Sequence, residues 1–132
     1  DQEIIDRTTV NPFDEPRITS SIKRTGRSKV IVAGINTGVC TCFPAISAVN
    51  VGYGAYAAID ASGAFDATEQ QTAMIRMTQA GVIVADYNAI VVEMLANNSD
   101  PLAAQVYAAI GLSHFVSLRD LYSTMTRKSI KS

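Results

Sequence analysis

The chain has 132 residues, 48% of them hydrophobic and 17% charged, with 11 basic against 12 acidic side chains and a formal net charge of −1. That profile excludes intrinsic disorder as the main state and supplies one domain, spanning 1–132, with enough apolar surface for a packed core. Basic residues spread among acids leave no electrostatic footprint for nucleic acid. The longest weakly polar stretch, 30–58, is broken by Asn36, Thr37, Pro44, Ser47, Asn50 and glycines, so it falls short of the roughly 20 continuous apolar residues of a membrane span.

In chain order, the sequence opens at Asp1 without an initiator methionine or leader, which is expected of a fragment or a processed product. Glu3 to Thr8 reads as a weak first strand. Asp14 before Glu15 and Pro16 reads as a helix N-cap with proline in the first turn, and Gly26 closes that helix at about Thr25. Lys29 to Ile35 is a continuous apolar run of the buried parallel type. A short turn follows, and a helix runs from about Cys40 to Val51. Ala55 to Asp60 and Gly81 to Tyr87 are further strands, separated by a helix whose Thr68-Glu69-Gln70-Gln71 start is a capping box. Asn88 is placed to cap a helix over Ala89 to Ala96, Asp100-Pro101 opens one that ends before Gly111, and Ser117 to Lys128 forms the last. Strands alternating with helices define an α/β domain with a mainly parallel sheet. Reactive groups in such sheets gather beyond the carboxyl ends of the strands, here Asn36 to Cys40, Asp60 to Asp66, and Tyr87-Asn88.

The sharpest feature is the segment from Gly34 to Pro44, where a buried strand ends and Cys40 arrives at a helix opening. Unpaired N–H groups and the positive end of the helix dipole favour a thiolate there and supply donors for an oxyanion. The same position also suits a small buried hydrophobe that caps a core helix. Cys42, two residues on, points to another side of the helix and reads as packing. Two cysteines this close do not staple a fold, and they suit a reducing, cytoplasmic setting. A Cys-x-Cys metal site needs further ligands, yet the single histidine, His114, lies far downstream, so neither metal nor cofactor is expected.

Taken together, Gly34-Ile35-Asn36-Thr37-Gly38-Val39-Cys40, Phe43-Pro44-Ala45, Gly52-Tyr53, Ile59-Asp60-Ala61-Ser62-Gly63, Gln71 to Met77, and Ala80-Gly81 resemble the isochorismatase-like cysteine hydrolases, most of all their YcaC-related branch. The resemblance implies a Rossmann-like three-layer α/β/α fold. It also implies a triad of aspartate, basic residue and cysteine that attacks amide-like carbon–nitrogen bonds of small molecules. On that likeness Cys40 is the nucleophile. The family carries a non-proline cis peptide just upstream, matched by Ile35-Asn36, which would turn the Asn36 N–H, with that of Cys40, toward an oxyanion. Arg7 stands where the family has lysine, a departure that suits holding a thiolate better than moving a proton. Phe13 and Phe65 are the candidate pocket walls.

The family aspartate comes from a first strand that matches nothing in this chain, and Asp60, Asp66 and Glu93 are not expected to replace it. If the family strand order applies, two strands are missing beside Lys29 to Ile35. The chain alone is then expected to be inactive and to present an apolar edge, completed by a longer protein or a second chain. Relatives in the branch form large rings, which implies a homo-oligomer such as an octamer. A second reading, a non-catalytic oligomer-forming member, rests on Arg7.

Overall fold

The computed structural model describes residues 4–111, 118 and 121–125. The chain divides into two compact units, Asp1–Ile90 and Val91–Ser132.

In the first unit a 3-10 turn, Pro12–Asp14, leads into α1 (Pro16–Arg24). After it come β1 (Lys29–Val32), α2 (Cys42–Asn50), β2 (Gly54–Ala58), α3 (Ala67–Gln79) and β3 (Ile83–Ala85). The strands are parallel in the order β1-β2-β3, with Lys29 opposite Gly54, Val32 opposite Ala57, Tyr56 opposite Ile83 and Ala58 opposite Ala85. Strand side chains alternate between the two faces of the sheet. One face therefore carries Ala55 and Ala57, buried with Cys42, Ala45 and Ala48 of α2, Ala73 and Met77 of α3, and Val82. Alanine at so many of these positions lets the helices approach the sheet closely, and Met77 fills the deepest space. The other face holds Tyr56, Ala58, Ala85 and Ile90. Along that face Ile31 is 49% and Ile83 46% exposed, so its outer rows are only half covered.

The expected strand over Glu3 to Thr8 is corrected by the structure: residues 4–8 form no strand, and Glu3 lies outside the described residues. Extended backbone needs a ladder partner for its N–H and C=O groups. The Arg7 guanidinium instead donates to the Thr9 and Val10 carbonyls and folds the segment back on itself. Among the described residues no strand pairs with the free edge of β1.

Helix starts also shift. Glu15, not Asp14, caps α1, because Asp14 is drawn into the preceding turn capped by Asn11. Asp66, not Thr68, caps α3 by accepting from the Glu69 N–H, so the helix begins two residues earlier than the capping box suggests. Asp86 accepts the Ala89 N–H at 2.9 Å, and α4 (Tyr87–Leu95) contains Asn88 rather than being capped by it.

In the second unit Asp100 Oδ1 accepts the Leu102 N–H at 2.8 Å, and α5 (Ala103–Ala109) starts two residues later than Pro101 implied. Gly111 follows at φ 73°, a left-handed helix end that glycine tolerates. Residues 118 and 121–125 are helical within the expected last helix. The rest of that helix, with Leu112, His114 and Phe115, lies outside the described residues.

Candidate functional site

The site is built where β1 runs out. Beyond Val32 the chain continues through Gly34 and Ile35, which bridges in parallel to Gly63 after β2, and the Ile35–Asn36 peptide is cis. Asn36 then caps a single π-helical turn, Thr37–Thr41: its Oδ1 accepts the Val39 N–H at 3.1 Å, and its carbonyl accepts the N–H groups of Cys40 at 2.8 Å and Thr41 at 3.3 Å. Such turns recur at functional sites because they re-aim side chains that a regular helix would bury. Here the re-aiming separates two cysteines. Cys40 is half-buried on the turn, whereas Cys42 is fully buried as α2 begins. Burial pushes the Cys42 thiol up, and the nearby positive charge of Arg76 offsets part of that rise.

A buried polar frame holds the turn. Thr37 and Thr41 are both fully buried. Thr37 donates its N–H (2.6 Å) and its hydroxyl (2.8 Å) to the Gly63 carbonyl, and Gly63 N–H donates to the Gly34 carbonyl at 3.1 Å. The Thr41 hydroxyl reaches the Gly34 carbonyl at 3.3 Å and the Ser62 hydroxyl at 3.2 Å, while Ser62 donates to the Ala58 carbonyl at 2.7 Å. Gly34 lies directly beside Cys40: a Cβ there would touch the Cys40 Cβ at ordinary van der Waals distance, 3.4 Å.

Ile35, Asn36 and Cys40 thus come together in one turn. Phe65 joins them only through its backbone: its ring is 85% exposed, and its N–H donates at 2.9 Å to the Glu69 carboxylate, which also accepts the Gly38 N–H. Arg7 is not brought in, since its guanidinium serves Thr9 and Val10, and among the described residues no hydrogen bond or ion pair joins it to Cys40. Phe13 packs against the α2 and α3 core and lines a cavity of about 500 Å³ with Lys23, Ser47, Asn50 and Tyr53, not with Cys40. A shallower hollow of about 320 Å³ lies against the turn, lined by Asn36, Gly38, Val39, Cys42, Glu69 and Arg76. Arg76 is steadied there over the Phe43 ring, 5.2 Å from its centre.

Thr37, Thr41, Ser62 and Glu69 are site residues that reading the sequence missed. The available signal was a hydroxyl at two positions four apart within an otherwise apolar stretch. Among the described residues no three of His, Cys, Asp and Glu converge as metal ligands, and no helix is long and apolar enough to cross a membrane.

The architecture is a parallel α/β fold with a cysteine-bearing turn at the carboxyl end of an edge strand. The chain belongs to the isochorismatase family, whose domain model matches residues 1–89. It is 29% identical to the probable hydrolase YcaC of Escherichia coli K12 over 122 residues, 90% of this chain and 58% of YcaC. The structure of the Escherichia coli YcaC gene product, an octameric hydrolase of unknown specificity, superposes with a TM-score of 0.74 at 27% identity over 92% of this chain and 59% of that one. YcaC from Pseudomonas aeruginosa, solved with hexane-2,5-diol and covalent acrylamide, matches with the same TM-score and identity over 91% of this chain and 58% of that one. The chain therefore spans somewhat under three fifths of the length of these relatives.

Proposed function

We propose that this chain carries the nucleophile of a cysteine hydrolase that cleaves an amide-like carbon–nitrogen bond of a small molecule. The observation that carries the proposal is the contrast between the two thiols: Cys40 is half-buried and keeps exposed surface on a turn locked at the carboxyl end of β1, while Cys42 is fully buried at the start of α2. The Cys40 thiolate attacks the carbonyl carbon, the oxygen takes up the displaced electron pair, and collapse breaks the C–N bond as the amine leaves with a proton. Water then adds to the thioester, releasing the acid and restoring the thiol.

In this proposal the Asn36 and Cys40 N–H groups face the oxyanion, for which Cys40 N–H must exchange its bond to the Asn36 carbonyl. Arg7 steadies the thiolate after leaving its own loop carbonyls, and Phe65, joined by Phe13 after it leaves the cavity it lines with Tyr53, walls the pocket. Proton transfer is assigned to an aspartate outside these 132 residues. Asp60 and Asp66 are poor substitutes, because each already accepts a backbone N–H, from Tyr87 at 2.8 Å and Glu69 at 2.9 Å. The proposal invokes neither metal nor cofactor, places the protein in the cytoplasm, and assembles it as a homo-oligomer. The octameric state of the Escherichia coli relative supports the last point.

Acrylamide, found covalently bound in the Pseudomonas relative, is the natural probe. Peptide mapping after acrylamide treatment is expected to place the adduct on Cys40 and to find none in Cys40→Ala. Equal modification of Cys42 would overturn the assignment.

A second reading is favoured by one observation, the engagement of Arg7 with Thr9 and Val10. It holds that the chain is a non-catalytic oligomer-forming member of the family. Cys40-dependent turnover of any member of an amide panel excludes it, and a stable assembly that forms no product supports it.

A further inference from the structure

The Glu69 carboxylate joins two segments that the chain keeps far apart. At the third position of α3 a glutamate ordinarily reaches back to the N–H of the capping residue, closing a reciprocal box. Here Asp66 makes its half of the box, but Glu69 does not make the other. Its Oε2 accepts the N–H of Phe65, one residue before the cap, at 2.9 Å, and its Oε1 accepts the N–H of Gly38, 31 residues away, at 2.9 Å. Gly38 is moulded to this contact: a Cβ built there would stand 3.0 Å from Oε1 and 3.2 Å from Cγ of Glu69. A side chain at that position is therefore tighter than an ordinary contact and obliges the carboxylate to give by a few tenths of an ångström. Glu69 is only half-buried, yet both of its oxygens are committed to backbone donors, and a charged acceptor makes such bonds stronger than neutral ones.

From this geometry we infer that Glu69 is a positioning residue, which clamps the Cys40-bearing turn and the Phe65 loop into one unit and so fixes the thiol relative to the ring that would wall its substrate. The inference rests on the reading of Cys40 as nucleophile. Glu69 touches no reacting atom; it acts through the Gly38 amide, two residues before the thiol, and through the Phe65 amide. Two clamps of different reach then hold the turn. Gly63 holds its start by accepting from Thr37, and Glu69 holds its middle. Releasing the second leaves the first in place, so the turn stays folded while its thiol loses a fixed direction.

The test uses the full chain, with amide hydrogen exchange and iodoacetamide as the thiol probe. In Glu69→Ala the Gly38 and Phe65 amides are expected to lose protection together, while the Thr37 amide keeps its own. Cys40 alkylation is expected to slow by about tenfold, the scale of effect that misplacing a reacting group produces. Glu69→Gln, with one acceptor oxygen instead of two, is expected to release one of the two amides and to alkylate at an intermediate rate. Gly38→Ala, which crowds the carboxylate by a few tenths of an ångström without removing it, is expected to weaken protection of the Gly38 amide and to alkylate at a rate between the parent and Glu69→Ala. Loss of protection throughout β2 and α2 along with Gly38 would show a merely structural role and overturn the inference, as would unchanged or faster alkylation of Cys40 in Glu69→Ala. Failure of the unsubstituted chain to alkylate at Cys40 would instead sink the nucleophile reading, and the exchange pattern would still decide whether Glu69 clamps the two segments.

Discussion

The Gly63 carbonyl accepts twice from Thr37, from its N–H at 2.6 Å and its hydroxyl at 2.8 Å, and the Gly63 N–H donates to Gly34 at 3.1 Å. One residue after β2 thus grips the chain on both sides of Ile35 and Asn36, at the point where β1 gives way to the turn that carries Cys40. Because Thr37 is fully buried, its hydroxyl has no water to turn to, and the bond is part of what holds the turn.

Thr37→Val keeps the shape of the side chain and removes the hydroxyl bond, leaving the backbone bond to satisfy Gly63. The expected loss is about 1 kcal/mol of folding free energy, the net worth of one hydrogen bond. Urea unfolding monitored by circular dichroism measures it.

The raised Cys42 thiol makes stability depend on pH in the alkaline range. Burial favours the protonated form in the folded chain, so the folded state holds its proton above the ordinary value of 9.0 where the unfolded chain has released it. With more protons bound in the folded state, stability falls as pH rises. The contribution is fully present below pH 9.0 and is lost as pH climbs toward the folded value. Denaturant midpoints at pH 8, 9 and 10 are expected to fall more steeply in the parent chain than in Cys42→Ala.

Asp66→Ala removes the cap of α3 and is expected to cost about 1 kcal/mol. Thr68→Ala, at an exposed position inside the first turn, is expected to stay within about 0.5 kcal/mol of the parent. A larger cost at Thr68 would move the helix start back to the position the capping box suggested. Thermal melts of the two variants decide it.

Met77, packed between α3 and the sheet, is the largest fully buried side chain among the described residues. Met77→Ala removes the lost transfer free energy and leaves a cavity among alanines too short to fill it, at an expected cost of about 2 to 5 kcal/mol. Met77→Leu, close in volume, is expected to cost less than about 1.5 kcal/mol. Chemical denaturation of both variants against the parent checks the pair.

Much of this was legible along the chain. Lys29 to Ile35, Ala55 to Asp60 and Gly81 to Tyr87 stand out as strands because each is a short apolar run bounded by turn residues, although the ladders cover only Lys29–Val32, Gly54–Ala58 and Ile83–Ala85, and Gly26, Gly81 and Gly111 mark helix ends through the left-handed backbone they adopt. Glu3 to Thr8 misled because alternation alone does not say whether a neighbouring strand exists to pair with it. The cap of α3 misled because Asp66 and Thr68 are both competent caps, and it is the Asp66 carboxylate that accepts the Glu69 N–H.

The α/β class, three of the four expected strands and the placing of Cys40 where a strand turns into a helix follow from local patterns of apolar and turn-forming residues. What needed the folded molecule is that Cys40 keeps exposed surface, that Arg7 spends its charge on its own loop, and that Glu69 and Gly63 grip the turn. The physical reason is distance along the chain. The bonds from Gly38 to Glu69 and from Thr37 to Gly63 join groups 31 and 26 residues apart, and such pairings exist only once the sheet has set α2 and α3 side by side.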